Sequence, residues 1–283
     1  MQELIHLNDH LVYMTPVEET DRPILAAVTG RNRTLMIDAG NSEAHARLFL
    51  DQLTGAGITA PSLVALTHWH WDHVFGLSAL TRMPSIATEA TKQAMKKIQH
   101  FTWDDQALNE RVQEGTEIEF CADAIKKEFP EKRDINVSLP TITFEKEVAV
   151  DLGEVTCLLK KVGGDHSPDG LIVYIREEKT MFLADALAPD LYAPSWRFTS
   201  DRTIAMLDEI EAFDADTYII SHWKPISKKE FQEEADLLRS TAELIKKWNG
   251  DEGKVRAGME KKYGTPLSEE EELALTYFLN GRV

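Results

Sequence analysis

The chain has 283 residues, of which 43% are hydrophobic, so it is long enough for a large domain with a substantial buried core. Its net charge of −17 would repel a phosphate backbone, so nucleic acid is not an expected partner. Neither the N-terminus nor any later stretch reads as a signal peptide or a membrane span, which predicts a cytoplasmic protein with no membrane partner. The two cysteines, Cys121 and Cys157, are too few for a disulfide framework and are predicted to be reduced.

The N-terminal third is predicted to be a strand meander followed by a helix and a further strand. Apolar and β-branched residues bounded by turn formers predict strands over 11–15, 24–29 and 34–37. Helical spacing predicts a helix over 41–57 with Ser42 as its N-cap, and 62–66 is a predicted buried strand. A second helix is predicted to begin near Val74.

The rest of the chain alternates between helical and strand patterns. A helical block is predicted over about 88–131, followed by a second meander with strands at 141–144, 148–150, 155–162, 171–175 and 181–183. A helix over 203–213 and a strand over 217–220 come next, and three helices are predicted over 228–248, 253–263 and 268–279. We therefore predict a domain over 1–226 with a helical insertion at about 88–131, and a C-terminal helical extension over 227–283 packed on it. The insertion has two interpretations, a lid or the surface of a homodimer.

The strongest chemical signal is a short run of potential metal ligands between the strand at 62–66 and the next helix. His68, His70, Asp72 and His73 place imidazole nitrogens and a carboxylate within six residues, the ligand set that suits zinc. In an extended turn His68 and His70 can face one ion, while Asp72 and His73 can face a neighbouring one. The alternative is a polar loop in which Asp72 only caps the helix.

Four ligands do not complete two metal sites, so further ligands are required at the ends of later strands. His166 lies in a turn-rich loop after a predicted strand, Asp185 ends another strand, and His222 ends a third. Each residue alone has a plain structural interpretation, as a surface-loop residue, a helix cap or a core-edge histidine. Their order after the ligand run favours metal binding.

In these residues the sequence resembles the metallo-β-lactamase superfamily. The resemblance implies an α/β (α+β) fold, an αββα sandwich of two mixed β-sheets with flanking helices. It further implies that one metal is held by His68, His70 and His166, that the second is held by Asp72, His73 and His222, and that Asp185 bridges both. The residues 35–40 match an early family motif, which implies that Asp38 orients the ligand loop.

The chain also departs from the family pattern beside several ligands. Asp165 and Asp169 flank the His166 loop where many members have glycine, and Ala184 and Ser221 precede Asp185 and His222 where glycine is common. The ligands themselves are retained. The sequence therefore predicts metal binding, with a pocket that differs from the better-known branches.

The predicted function is a hydrolase with two divalent ions, zinc being favoured over manganese or iron. Two ions sharing a water would lower its pKa and generate hydroxide, which attacks an ester, lactone, thioester, amide or phosphoester of a small molecule. Asp72 is the candidate catalytic residue that relays the proton, and Tyr192 is a candidate substrate contact, with simple packing as its alternative. Two other functions stay open: a mononuclear iron enzyme similar to persulfide dioxygenases, and a non-catalytic metal-binding or interaction protein.

Overall fold

A computed structural model describes residues 2–131 and 133–282 of the chain. Two mixed β-sheets pack face to face, and helices cover both outer faces. This arrangement is the predicted αββα sandwich. None of the helices in the described ranges combines the length and apolarity needed to cross a membrane.

The first sheet contains the N-terminal strands in sequence order. Its strands are β1 (Leu4–His6), β2 (Leu11–Met14), β3 (Leu25–Thr29), β4 (Thr34–Ile37), β5 (Leu63–Ala65), β6 (Ser85–Thr88) and β7 (Ile142–Phe144). The strands β1 to β4 pair antiparallel, whereas β4, β5, β6 and β7 pair parallel. Since parallel neighbours need crossover connections, helices join β4 to β5 and β6 to β7.

The second sheet is formed by the later strands in the order β13-β12-β11-β10-β9-β8. Its strands are β8 (Glu147–Asp151), β9 (Thr156–Lys161), β10 (Leu171–Ile175), β11 (Thr180–Ala184), β12 (Thr217–Ile220) and β13 (Pro225–Ser227). Among the described strands of this sheet only β11 and β12 pair parallel, and the helix over Ser200–Glu211 forms the crossover between them. A register shift between Phe182 and Ala184 marks a bulge at the end of β11, where Ala184 has φ of 51°.

The helices divide between the two outer faces. The first face carries α1 (Glu43–Gly55), α2 (Trp71–Val74), α3 (Glu89–Ile98), α4 (Asp105–Glu114) and α5 (Glu119–Glu128). The second face carries α6 (Ser200–Glu211), α7 (Lys228–Trp248), α8 (Glu252–Tyr263) and α9 (Glu269–Asn280). Capping follows the sequence signals: Ser42 accepts a hydrogen bond from the backbone of His45, and Ser227 and Ser268 form capping boxes at α7 and α9.

Successive side chains along each strand point to opposite faces of the sheet, and together with the helices they form three apolar layers. In β3, Leu25 and Ala27 face the helices of the first face, while Ala26 and Val28 face the second sheet. The layer between the sheets is completed from the opposite side by residues such as Val173 and Phe182. Because both faces of each sheet are covered, the central strands are continuously apolar, which is the pattern that predicted them.

The structure corrects the sequence-based boundaries at a few places. The short strands β1, β6 and β13 were not predicted, since each has only three or four residues and too little alternation to recognise. The helix expected near Val74 begins at Trp71 and continues as a 3-10 helix over Phe75–Leu80. As a result, Asp72 and His73 lie in the first turn of the helix rather than in the loop before it.

Candidate metal centre

Four chain segments deliver the seven predicted ligands to one edge of the sandwich. His68 and His70 lie in the loop after β5, and Asp72 and His73 follow in α2. The second sheet supplies the others, which are His166 between β9 and β10, Asp185 after β11 and His222 after β12. The backbone of Leu171 donates to the Thr67 carbonyl at 2.9 Å, which ties the second sheet to the ligand loop.

The seven residues form two clusters. The ligand atoms of His68, His70 and His166 lie within 4.8 Å of one another, and so do those of Asp72, His73, Asp185 and His222. In the second cluster His222 Nε2 lies 3.1 Å from Asp72 Oδ2, and His73 Nε2 lies 3.0 Å from the same oxygen. Ligands about 2.1 Å from a tetrahedral zinc ion are spaced by roughly 3.4 Å, so these separations suit a single ion.

Asp185 lies between the two clusters. Its Oδ2 atom is 3.2 Å from His73 Nε2 and 3.3 Å from His222 Nε2. The same oxygen is 3.4 Å from His166 Nε2 and 3.8 Å from His68 Nε2, both of the other cluster. A carboxylate in this position can contact ions in both clusters.

Several polar atoms of the centre are buried and have no hydrogen-bond partner among residues 2–131 and 133–282. These are His68 Nε2, His166 Nε2 and Asp185 Oδ1. Such atoms carry a desolvation cost that folded proteins rarely accept unless a water or an ion satisfies them. Together with the nitrogen and carboxylate donor set, they fit divalent metal ions.

The protonation of the first cluster favours metal binding. Burial, and then the charge of His73, hold the pKa of His68 well below its usual value. Burial, and then the nearby His166, do the same for the pKa of His70. Both rings are therefore neutral near pH 7 and keep a lone pair for an ion.

Asp38 orients the ligand loop from below. Its carboxylate accepts hydrogen bonds from the backbone of Thr67 at 2.8 Å and from the Thr67 hydroxyl at 2.9 Å. Its Oδ2 atom also lies 2.8 Å from His73 Nδ1, and Asp38 and His73 are completely buried. With Nδ1 engaged, Nε2 of His73 faces the second cluster, as a ligand must.

Sequence reasoning missed a second supporting carboxylate, Asp21. Its Oδ1 atom lies 3.3 Å from His222 Nδ1, so Asp21 supports His222 as Asp38 supports His73. Asp21 ends a short 3-10 helix over Glu18–Thr20 in a left-handed conformation with φ of 53°. No sequence signal identified it, because its partner lies far along the chain and no motif surrounds it.

The aspartates that flank His166 have structural partners. Asp165 accepts hydrogen bonds from the backbone and hydroxyl of Thr199, just before α6, at 2.8 and 2.7 Å. Asp169 accepts from the hydroxyl of Ser167 within the same loop. Where glycine is common in the family, these side chains therefore fix the His166 loop by their own hydrogen bonds.

A cleft of about 870 Å³ opens onto the centre and is lined by His70, Asp72, His166, Asp185 and His222. Tyr192 also lines it, with its ring 5.4 Å from that of His70. The Tyr192 hydroxyl donates to Glu117 Oε1 at 3.1 Å, so the candidate substrate contact is already engaged with the loop before α5.

Comparison with known proteins assigns the chain to a family. The sequence model of the metallo-β-lactamase superfamily matches residues 25–222. The chain is 22% identical over 239 residues to a linear primary-alkylsulfatase from Pseudomonas sp., covering 75% of this chain and 43% of that protein. Over 56 residues it is 50% identical to an atrochrysone carboxyl ACP thioesterase from Passalora fulva, covering 19% of this chain and 16% of the relative. The chain thus spans less than half the length of these curated relatives.

Solved structures show the same fold at low sequence identity. A metallo-β-lactamase from Pontibacter korlensis superposes with a TM-score of 0.59 at 15% identity, covering 83% of this chain and 98% of that one. A stereoselective inverting sec-alkylsulfatase from Pseudomonas sp. gives a TM-score of 0.66 at 14% identity, covering 96% of this chain and 46% of that one. From the extent of the family match and the shared αββα sandwich, the chain belongs to the metallo-β-lactamase superfamily.

Proposed function

We propose that the protein is a hydrolase that uses two divalent metal ions, with zinc favoured, to cleave an ester, lactone, thioester, amide or phosphoester of a small molecule. The observation that carries the proposal is the pair of ligand clusters that share Asp185 at the base of an open cleft. Its relatives among alkylsulfatases and a thioesterase are named for hydrolytic reactions, which supports the same class of chemistry.

Each ligand has a proposed place. His68, His70 and His166 would hold the first ion. Asp72, His73 and His222 would hold the second, and Asp185 would contact both. Asp38 and Asp21 would hold His73 and His222 in the orientation that points Nε2 at the second ion.

Two ions bound here would supply Lewis acidity for the substrate oxygen and would make a water more acidic. The water oxygen forms a bond to the acyl or phosphoryl atom, and the bond to the leaving group breaks. Asp72 lines the cleft and is proposed to pass the proton of that water to the leaving group. Trp71, next to Asp72 in the chain, is buried, packs against Phe75 and also lines the cleft.

The second cluster distinguishes this proposal from a mononuclear iron oxygenase. An enzyme with one iron needs a single set of ligands, whereas here Asp72, His73 and His222 form a second set in which His73 and His222 each have a supporting carboxylate. The open cleft likewise supports an enzyme over a non-catalytic binding protein.

The test is metal analysis of the purified protein followed by a substrate panel. We expect close to two ions of zinc per chain, loss of turnover on chelation and recovery when zinc is restored. The panel contains lactone, thioester, carboxylic ester, phosphodiester, β-lactam and alkyl sulfate substrates, the last because of the sulfatase relatives.

Variants connect turnover to the ligands. Asp185→Ala should lose both ions together with turnover, and His70→Ala should lose the first ion together with turnover, whereas His100→Ala, which replaces an exposed histidine, should change neither metal content nor turnover. Full turnover by metal-free protein, or a single iron with thiol-dependent oxygen uptake, would overturn the proposal.

A further inference from the structure

The cleft above the metal centre is built by parts of the chain that lie outside the ligand loops. The helix α5 and the residue before it contribute Ile118 and Phe120, and the loop after β11 contributes Leu191 and Trp196. The opposite wall comes from the C-terminal helices α7 and α9. Because these segments are separate from the ligands, they can decide which molecule reaches the ions.

Three exposed aromatic side chains surround the cleft. Phe120 is 52% exposed, Trp196 is 45% exposed and Trp223 is 58% exposed, and each comes from a different segment. Large apolar side chains are costly to leave in water, and their convergence on one cavity indicates an apolar ligand surface. The lining also includes Ile226 and Leu237, which are buried in the C-terminal part of the wall.

The charges of the cleft have one sign. Among the described residues that line it there is no lysine or arginine, and the carboxylates beyond the proposed metal ligands are Glu18, Asp21, Glu230, Glu233, Glu234, Asp236, Glu270 and Glu271. Several of these are already engaged. Glu233 pairs with Lys229 at 3.5 Å, and Asp236 pairs with Lys262 at 2.6 Å.

Four of the lining carboxylates, Glu18, Glu271, Glu234 and Glu270, have no ion pair within the described ranges, and the last two come from the helices α7 and α9 of the same wall. Glu234 and Glu270 line the same cleft from two helices that pack against each other, and burial, followed by repulsion from the Glu270 carboxylate, raises the pKa of Glu234. A cation placed between them would relieve this repulsion, whereas an anion would increase it.

We propose that the cleft takes substrates with an apolar body that carries no negative charge outside the bond to be cleaved, and that Glu234 and Glu270 favour an ammonium group there. The inference rests on the proposed hydrolase function for its substrate class. Since no lysine or arginine is among the described lining residues, the metal ions would supply the positive potential at the base of the cleft, where the scissile group binds. A negative charge elsewhere on the substrate would meet apolar walls and carboxylates without compensation.

A matched ester series tests the charge preference in the zinc-loaded protein. The esters are choline octanoate, its neutral carbon analogue 3,3-dimethylbutyl octanoate, and 3-carboxypropyl octanoate. We expect kcat/KM to fall from the cationic to the neutral to the anionic ester, by about tenfold at each step. In Glu234→Gln/Glu270→Gln the cationic-to-neutral ratio should fall about tenfold. Glu243→Gln, which removes an exposed charge on α7 outside the cleft, should leave the ratio unchanged.

The apolar wall is tested by acyl chain length. Phe120→Ala should reduce the preference for octanoyl over acetyl esters several-fold, because the aromatic surface at the mouth is lost. Phe101→Ala removes an exposed phenylalanine of the same helical insertion outside the cleft and serves as the control.

A binding measurement separates this inference from the proposed reaction. Calorimetric titration with decyltrimethylammonium should show binding that weakens about tenfold in Glu234→Gln/Glu270→Gln and not in Glu243→Gln. If no ester is cleaved but decyltrimethylammonium still binds more weakly to the double variant than to the unmodified protein, the proposed function fails and the inference about the cleft stands. Equal use of cationic and anionic esters, or an unchanged ammonium affinity in the double variant, would overturn the inference.

Discussion

Asp21 and His222 meet at the metal centre, with Asp21 Oδ1 at 3.3 Å from His222 Nδ1, although Asp21 precedes the family match over residues 25–222 and His222 is its last residue. The contact joins the turn before β3 to the loop after β12. A hydrogen bond next to it makes the same connection, since the backbone of Ile24 donates to the Ser221 carbonyl at 2.7 Å. The position of one proposed ligand of the second ion therefore depends on the N-terminal segment.

Replacing Asp21 with asparagine tests this dependence. Asparagine tolerates the left-handed backbone at this position, so the change removes the charge and leaves the local fold. We expect affinity for the second ion to fall by about 10- to 100-fold, the usual effect of losing a carboxylate that orients a ligating histidine. Competition with a chelator measures the affinity. Glu19→Gln, an exposed neighbour, is the control, and equal affinity in both variants would contradict the assigned role.

Single ligand variants should separate the two ions. His166→Ala removes a ligand of the first cluster, and His222→Ala removes one of the second. Each should retain about one tightly bound ion per chain after gel filtration, with activity reduced at least about a hundredfold. Asp185→Ala should retain neither ion, since its carboxylate lies against both clusters. Two retained ions in His166→Ala would show that the clusters are assigned wrongly.

Asp38→Asn should destabilise the metal-free protein. The amide cannot accept the hydrogen bonds of the Thr67 backbone, the Thr67 hydroxyl and His73 together, so a buried donor is left unpaired. We expect the free energy of unfolding to fall by about 2 to 4 kcal/mol, measured by urea denaturation. Asp123→Asn breaks only an exposed pair with Lys126, so its effect should stay within about 0.5 kcal/mol. Similar losses in the two variants would be inconsistent with this account.

Replacing Gly76 and Gly55 with alanine should change the free energy of unfolding in opposite directions. A Cβ atom on Gly76 would lie 2.0 Å from the Ala39 carbonyl oxygen, so Gly76→Ala must push the 3-10 helix over Phe75–Leu80 away from the loop that carries Asp38. We expect a loss of at least about 2 kcal/mol of unfolding free energy together with weaker metal binding. Gly55 ends α1 with open space around it, so Gly55→Ala should stabilise the protein by about 0.5 to 1 kcal/mol. Thermal and urea unfolding measure both, and a harmless Gly76→Ala would refute the close approach.

Tyr192→Phe tests whether the Tyr192 hydroxyl contacts the substrate. Because the hydroxyl donates to Glu117 in the free protein, we expect kcat/KM to fall by less than about tenfold on the best substrate of the panel. Tyr13→Phe, in β2 and outside the cleft, is the control. A loss of a hundredfold or more, confined to kcat, would instead show that Tyr192 leaves Glu117 and assists the reaction.

The sequence predicted the elements that repeat a clear local pattern. The strands β4 and β12 and the helix α7 have the predicted bounds, because unbroken apolar runs and the Ser227 capping box specify them locally. The ligand run was equally visible, since the donor residues His68, His70, Asp72 and His73 lie within six residues of one segment. The ligands His166, Asp185 and His222 could also be predicted, because each follows a strand and strands that end at the same edge of the sandwich bring their last residues together.

Sequence alone thus determined the donor chemistry of the metal centre, which follows from local spacing and residue type, and the fold class, which the resemblance of the ligand motifs to a known family implied. The tertiary structure determined which residues support the metal ligands and which residues line the cleft around them. Asp21 reaches His222, and Glu117 engages Tyr192, only because segments distant in sequence pack against one another. The charge and shape of the cleft depend on such long-range packing, and for that physical reason no local pattern in the sequence predicts them.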